Sequence, residues 1–147
     1  MLSSSDPDAV MLEKALNAAR DTRRAVVGAG VLTKAPGLFA AEFGSSTAVL
    51  VADPNTFEAA GRTVLDAFHR EGPTVAEPFR FGNDVYAGYE DVERLEAALK
   101  SVDAVPVAVG SGTINDLTKL VAHRLQRPYM CVATAASMDG YTAFGAS

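Results

Sequence analysis

Three observations predict an α/β fold for this chain, a parallel sheet with helices on both faces. Apolar runs of strand length at Thr47–Ala52, Ala104–Val109 and Tyr129–Ala133 are separated by helical patterns, the alternation from which parallel sheets are built. Those intervening patterns carry a one-sided apolar stripe, which a helix lying on a sheet requires. Glycines, hydroxyl residues and an aspartate gather just after the strands, at the edge where open α/β sheets bind ligands.

Size and composition narrow the classes further. At 147 residues with 48% hydrophobic content, the chain is long enough for one domain burying roughly 68–70% of its unfolded surface. No apolar run approaches the roughly 20 residues of a membrane span, and Met1–Asp6 lacks the features of a signal peptide. The expectation is a soluble, cytoplasmic protein. Cys131 is the only cysteine, which rules out an internal disulfide and a cysteine-based metal site and suits a core filler. A net charge of −5, with no basic cluster beyond Arg23-Arg24, argues against a nucleic-acid surface. Any phosphate would have to be held locally, by backbone amides.

In chain order, the first 25 residues read as an arm or short helix, with Val10, Leu12, Leu16 and Ala19 spaced for one face. Ala25–Val27 leads into Gly28-Ala29-Gly30, a partial dinucleotide fingerprint: Thr33 stands where the third glycine would fall, and Pro36 interrupts the helical pattern. Leu38–Phe43 predicts a short helix ending at Gly44, and Thr47–Ala52 a buried strand. Pro54, tolerated in a helix's first turn, opens a helix whose inward stripe is Phe57, Ala60, Val64, Leu65 and Phe68. Thr74–Phe81 is mixed, with Val75 and Phe79 as strand positions broken by Pro78. Glu90–Lys100 predicts an amphipathic helix with Val92, Leu95 and Leu99 inward. The strand Ala104–Val109, a helix from Ile114 to Leu125 and the strand Tyr129–Ala133 complete a Rossmann-like order.

The organising stretch is Gly110-Ser111-Gly112-Thr113, between a strand and a helix. A helix's first N–H groups have no intrahelical partner and its dipole favours negative charge, so such a turn is suited to a phosphate. Asp53 has two readings, a helix N-cap or a carboxylate for the ribose hydroxyls of an adenine nucleotide. Thr113 and Asp116 match a capping box, with Asp116 facing away from any phosphate and paired with Lys119. His69 and His123 lie in separate helices and read as surface residues, since zinc sites need three or four convergent ligands. Thr134–Thr142 offers small hydroxyl residues after a strand, and Asp139-Gly140 a turn that could aim a carboxylate into the cleft.

The string Gly110–Lys119, followed by Arg127-Pro128-Tyr129 and Ala133–Thr142, resembles the signature of the sn-glycerol-1-phosphate dehydrogenases. These belong to the larger group of glycerol dehydrogenases, iron-containing alcohol dehydrogenases and dehydroquinate synthase. The resemblance implies hydride transfer between NAD(P)H and dihydroxyacetone phosphate, giving sn-glycerol 1-phosphate. It implies that Gly110, Ser111, Gly112, Thr113 and Ile114 hold the cofactor pyrophosphate. Thr134, Ala135, Ala136 and Ser137 would lie nearer the nicotinamide, Asp139 would contact substrate, and Asp53 would take the adenine ribose. A carboxylate at position 53 favours NAD over NADP. Ala143 replaces a serine that contacts the cofactor in that family. The resemblance also implies a divalent metal, typically zinc, held by an aspartate and two histidines of a helical second domain that would follow residue 147. On that reading residues 26–147 are the dinucleotide-binding half of a longer protein, inactive alone and prone to self-association through exposed apolar surface. A dehydroquinate synthase-like lyase domain and a stand-alone nucleotide-binding module are the alternatives.

Overall fold

A computed structural model describes residues 31–83, 85, 88–110 and 112–133. The N-terminal arm, Gly28–Gly30, Ser111, Thr134–Ser137, Asp139 and Ala143 lie outside the described residues. After a 3₁₀ turn at Val31–Lys34, helix α1 spans Ala35–Phe43. Pro36 does not interrupt this helix; it lies in the first turn, where its missing N–H costs nothing. The helix stops at Gly44, whose φ of 62° is left-handed and whose N–H donates to Ala40 O.

Strand β1, Ala48–Ala52, is buried at every position. Helix α2 covers residues 54–71: an α-turn at Pro54–Thr56, a π turn at Phe57–Gly61 and an α segment at Arg62–Glu71. A Cβ on Gly61 would lie 2.7 Å from the Phe57 ring, so the widened turn folds the ring against a residue with no side chain. Strand β2 is Phe79–Arg80, preceded by one isolated parallel bridge from Ala48 to Val75. The gap between them holds Pro78, which has no N–H to give a ladder. Helix α3 is Tyr89–Lys100, β3 Val105–Val109, α4 Thr113–Arg124 and β4 Met130–Val132.

All four strands are parallel, in the order β2-β1-β3-β4. Alternation along the strands divides the core into two layers. Ala48, Leu50, Ala52, Val107 and Val109 pack with Phe39 of α1 and Phe57, Val64 and Phe68 of α2. Val49, Val51 and Ala108 pack with Leu95 and Leu99 of α3 and Ile114, Leu117 and Val121 of α4. The helices therefore cover both faces. Phe39 meets Phe68 edge to face at 5.5 Å between centroids, joining α1 to α2. Arg127 closes the other layer: its Nη1 donates to the carbonyls of Leu99 (2.8 Å), Val102 (2.9 Å) and Ala104 (3.2 Å), satisfying the end of α3. Glu96 of α3 pairs with Arg124 of α4 at 2.8 Å. Among the described residues no helix is long and apolar enough to cross a membrane.

Candidate functional site

From β1 the chain passes through α2 on one face to β2; from β3 it passes through α4 on the other face to β4. The two connections leave adjacent strands in opposite directions. The crevice between the carboxyl ends of β1 and β3 is thus the topological switch point, the place where open α/β sheets take ligands. Asp53 follows β1 there and Gly110 follows β3.

Asp53 is extended, with φ −108° and ψ 177°, and caps α2. Its Oδ1 accepts the Thr56 N–H at 2.8 Å, and its own N–H donates to Thr56 Oγ1 at 3.0 Å. The N-cap reading therefore holds for one carboxylate oxygen. Pro54 removes one further N–H from that turn, leaving little there for an anion.

The turn after β3 is built differently. Gly110 and Gly112 both have positive φ, 155° and 48°, and Gly112 is the N-cap of α4 without any side-chain cap. The first ladder bond runs from the Asp116 N–H to Gly112 O at 2.9 Å, so the N–H groups of Thr113, Ile114 and Asn115 precede it without an intrahelical acceptor. This corrects the expected capping box. Thr113 is already helical, a position from which its hydroxyl cannot act as N-cap, and Asp116, in the first turn, is exposed. Nor does Asp116 pair with Lys119 among the described residues; the basic residue of α4 that is paired is Arg124, to Glu96.

A Cβ on Gly110 would lie 2.9 Å from Ile114 Cβ and 3.2 Å from the Thr56 methyl. The absence of a side chain lets the first turns of α2 and α4 close on the same point, which brings the Asp53 turn beside the glycine turn. Ile114 is 2% exposed, so its backbone, not its side chain, is what it can offer a ligand. Of the residues singled out in the sequence, Asp53, Gly110, Gly112, Thr113 and Ile114 thus share one crevice.

Two side-chain arrangements were not anticipated. Tyr129 donates from its hydroxyl to Asn115 Oδ1 at 3.0 Å, tying the approach to β4 to the first turn of α4. Burial pushes this phenol's pKa above the ordinary range, with Cys131 and Asp116 adding to the effect. Arg80 lies over the Phe57 ring, its guanidinium carbon 3.8 Å from the centroid. Neither pairing left a local signal in the sequence, since both need the strand order and register. Cys131 packs at the margin of the α3/α4 layer, and burial raises its thiol to about 11, as befits a filler. His69 and His123 are exposed in the last turns of α2 and α4.

With this geometry in hand, comparison with known proteins is specific. A family model described as iron-containing alcohol dehydrogenase matches residues 26–147. A protein from Geobacillus thermodenitrificans named glycerol-1-phosphate dehydrogenase (NAD(P)+) is 35% identical over 106 residues, 67% of this chain and 25% of its own length. A protein of the same name from Methanospirillum hungatei is 32% identical over 143 residues, 93% of this chain and 37% of its own. The chain therefore spans between a quarter and about two fifths of the length of these relatives. Among solved structures, glycerol dehydrogenase from Schizosaccharomyces pombe superposes with a TM-score of 0.62 at 23% identity, over 74% of this chain and 27% of that one. Maleylacetate reductase from Agrobacterium tumefaciens does so at 0.63 and 20%, over 80% and 32%. These two support the Rossmann-like fold alone. A parallel sheet with a glycine turn at its switch point, a family match over most of the sequence and relatives above 30% identity place the chain in the iron-containing alcohol dehydrogenase family.

Proposed function

We propose that this chain supplies the NAD(P)-binding part of a glycerol-1-phosphate dehydrogenase-like oxidoreductase, residues 26–147 forming the dinucleotide domain and residues 1–25 an arm. The observation that carries the reading is the pairing, across one switch-point crevice, of an uncapped helix N-terminus after β3 with a carboxylate after β1. The pyrophosphate would lie on the N–H groups of Thr113, Ile114 and Asn115, its approach kept open by Gly112. The adenine ribose would lie toward Asp53, whose Oδ1 serves the helix and whose Oδ2 faces the task of binding hydroxyls. Ser111, Thr134, Ala135, Ala136, Ser137 and Ala143 are proposed to complete the cofactor contacts and Asp139 to reach the substrate. By analogy with the relatives' printed name, that substrate is a glycerol phosphate, reached from dihydroxyacetone phosphate.

A divalent metal, when bound in an enzyme of this kind, polarises the carbonyl that accepts hydride. Among the described residues no three His, Cys, Asp or Glu side chains could hold such an ion. What these residues do is bind and orient the dinucleotide.

The test is Gly112→Val with NADH titrated by fluorescence. The φ of 48° and ψ of −112° at this position exclude a branched residue, and the side chain would occupy the pyrophosphate's approach. Affinity should fall by at least about 100-fold, the loss of two or more charge-assisted hydrogen bonds. Unchanged affinity in a folded variant would move the phosphate elsewhere.

A further inference from the structure

Arg80 is the last residue of β2 and pairs in parallel register with Ala52, one residue before Asp53. Neighbouring strands lie about 4.8 Å apart, and the Phe81 N–H donates to Ala52 O at 2.9 Å, so Arg80 leaves the sheet beside the Asp53 turn. Its guanidinium carbon lies 3.8 Å from the centroid of the Phe57 ring, and the Phe57 N–H is itself bonded to Asp53 O at 2.9 Å. A cation resting on a buried ring, that of a residue whose backbone is bonded to Asp53, is a held group with less rotamer freedom left to lose on binding.

Its charge is also unspent. Arg80 is exposed and forms no ion pair among the described residues. Glu58, which feels the charge of Arg80, is taken by Arg62 at 2.6 Å. Arg62 lies on the same ring, at 5.2 Å. Arg62 is thus committed to Glu58, whereas the Arg80 guanidinium has no such partner among the described residues.

In dinucleotide sheets the acidic residue after the strand beside the phosphate turn binds the 2′-hydroxyl, and a nearby arginine accommodates a 2′-phosphate. We propose that Arg80, held over Phe57 beside Asp53, receives the 2′-phosphate of NADPH and lets the crevice take both dinucleotides despite the Asp53 carboxylate. This rests on the dinucleotide reading of the crevice. It shifts the expectation drawn from Asp53 alone, which is NAD.

The experiment measures NADH and NADPH affinities of the full chain and of Arg80→Gln, with thermal denaturation to confirm that the variant folds. Arg80→Gln should weaken NADPH by about tenfold or more, the worth of a charge-assisted contact, and change NADH by less than about twofold. Arg80→Lys, which keeps the charge without the planar fork, should fall between. Equal losses of both cofactors would make Arg80 a support for Phe57 and overturn the proposal, as would no loss of NADPH. Should Arg80→Gln fail to fold, ADP-ribose and its 2′-phosphate are compared on the unaltered chain. Comparable affinities support the proposal, and rejection of the 2′-phosphate by more than about tenfold overturns it. An unaltered chain that binds neither dinucleotide overturns the underlying reading as well, which separates the two failures.

Discussion

Two turns stand side by side at the same edge of the sheet and solve the same problem in opposite ways. After β1 the chain enters α2 through Asp53, Pro54 and Thr56, and the orphan groups of that helix are met from within: Asp53 and Thr56 exchange side-chain and backbone bonds at 2.8 and 3.0 Å. After β3 it enters α4 through two positive-φ glycines, with no side-chain cap on the helix among the described residues. The first turn is closed and acidic, so it can accept hydrogen bonds from a hydroxyl-bearing ligand. The second is open and carries a positive dipole end, so it can donate to an anion. Adjacent turns with opposite hydrogen-bonding character match a ligand that is anionic at one point and hydroxylated a few ångströms away, as a dinucleotide is.

The comparison breaks most severely at Gly110. Its φ of 155° is strained for any other residue, and a Cβ would meet Ile114 at 2.9 Å and Thr56 at 3.2 Å. Gly110→Ala should cost about 2–4 kcal/mol, from overpacking and backbone strain together, measured by urea denaturation. A cost below about 0.5 kcal/mol would mean that the two turns are not packed together as described. A smaller effect separates the two uses of Asp53. Asp53→Ala removes the cap and should cost about 1 kcal/mol of stability. Asp53→Asn keeps an acceptor for the Thr56 N–H, so stability should stay within about 0.5 kcal/mol, while the charge proposed to meet the ribose is lost. NADPH should then bind at least as well as NADH; an unaltered ratio of the two would confine Asp53 to capping.

How much of this could be read beforehand depends on where each signal resides. The central strands were legible because Ala48–Ala52 and residues 106–109 are buried on both faces and read as continuous apolar runs. Phe57, Val64 and Phe68 were legible because their spacing follows the helix. The start of α4 was misread by one residue. Thr113 and Asp116 fit a capping pattern, but the N-cap is Gly112, a role taken by backbone conformation that leaves no side-chain mark. Residues far apart in sequence carried no local signal at all. Tyr129 and Asn115, or Arg80 and Phe57, meet only once the strand order and register are known, although each residue type is ordinary where it stands. The crevice itself was legible in part: its acidic and glycine turns were both visible, but their adjacency follows from β1 and β3 being neighbours, with α2 and α4 on opposite faces.

The central claim, that the open turn after β3 is the anion site, is tested most directly by titrating the ¹⁵N-labelled chain with NADH and following backbone amide shifts. The amides of Gly112, Thr113, Ile114 and Asn115 should move together and furthest, with a second, smaller group around Asp53, while those of Gly44 and Gly72 at the opposite end of the sheet stay in place. Shifts centred away from residues 112–115, or a response of the Asp53 turn without the glycine turn, would contradict it.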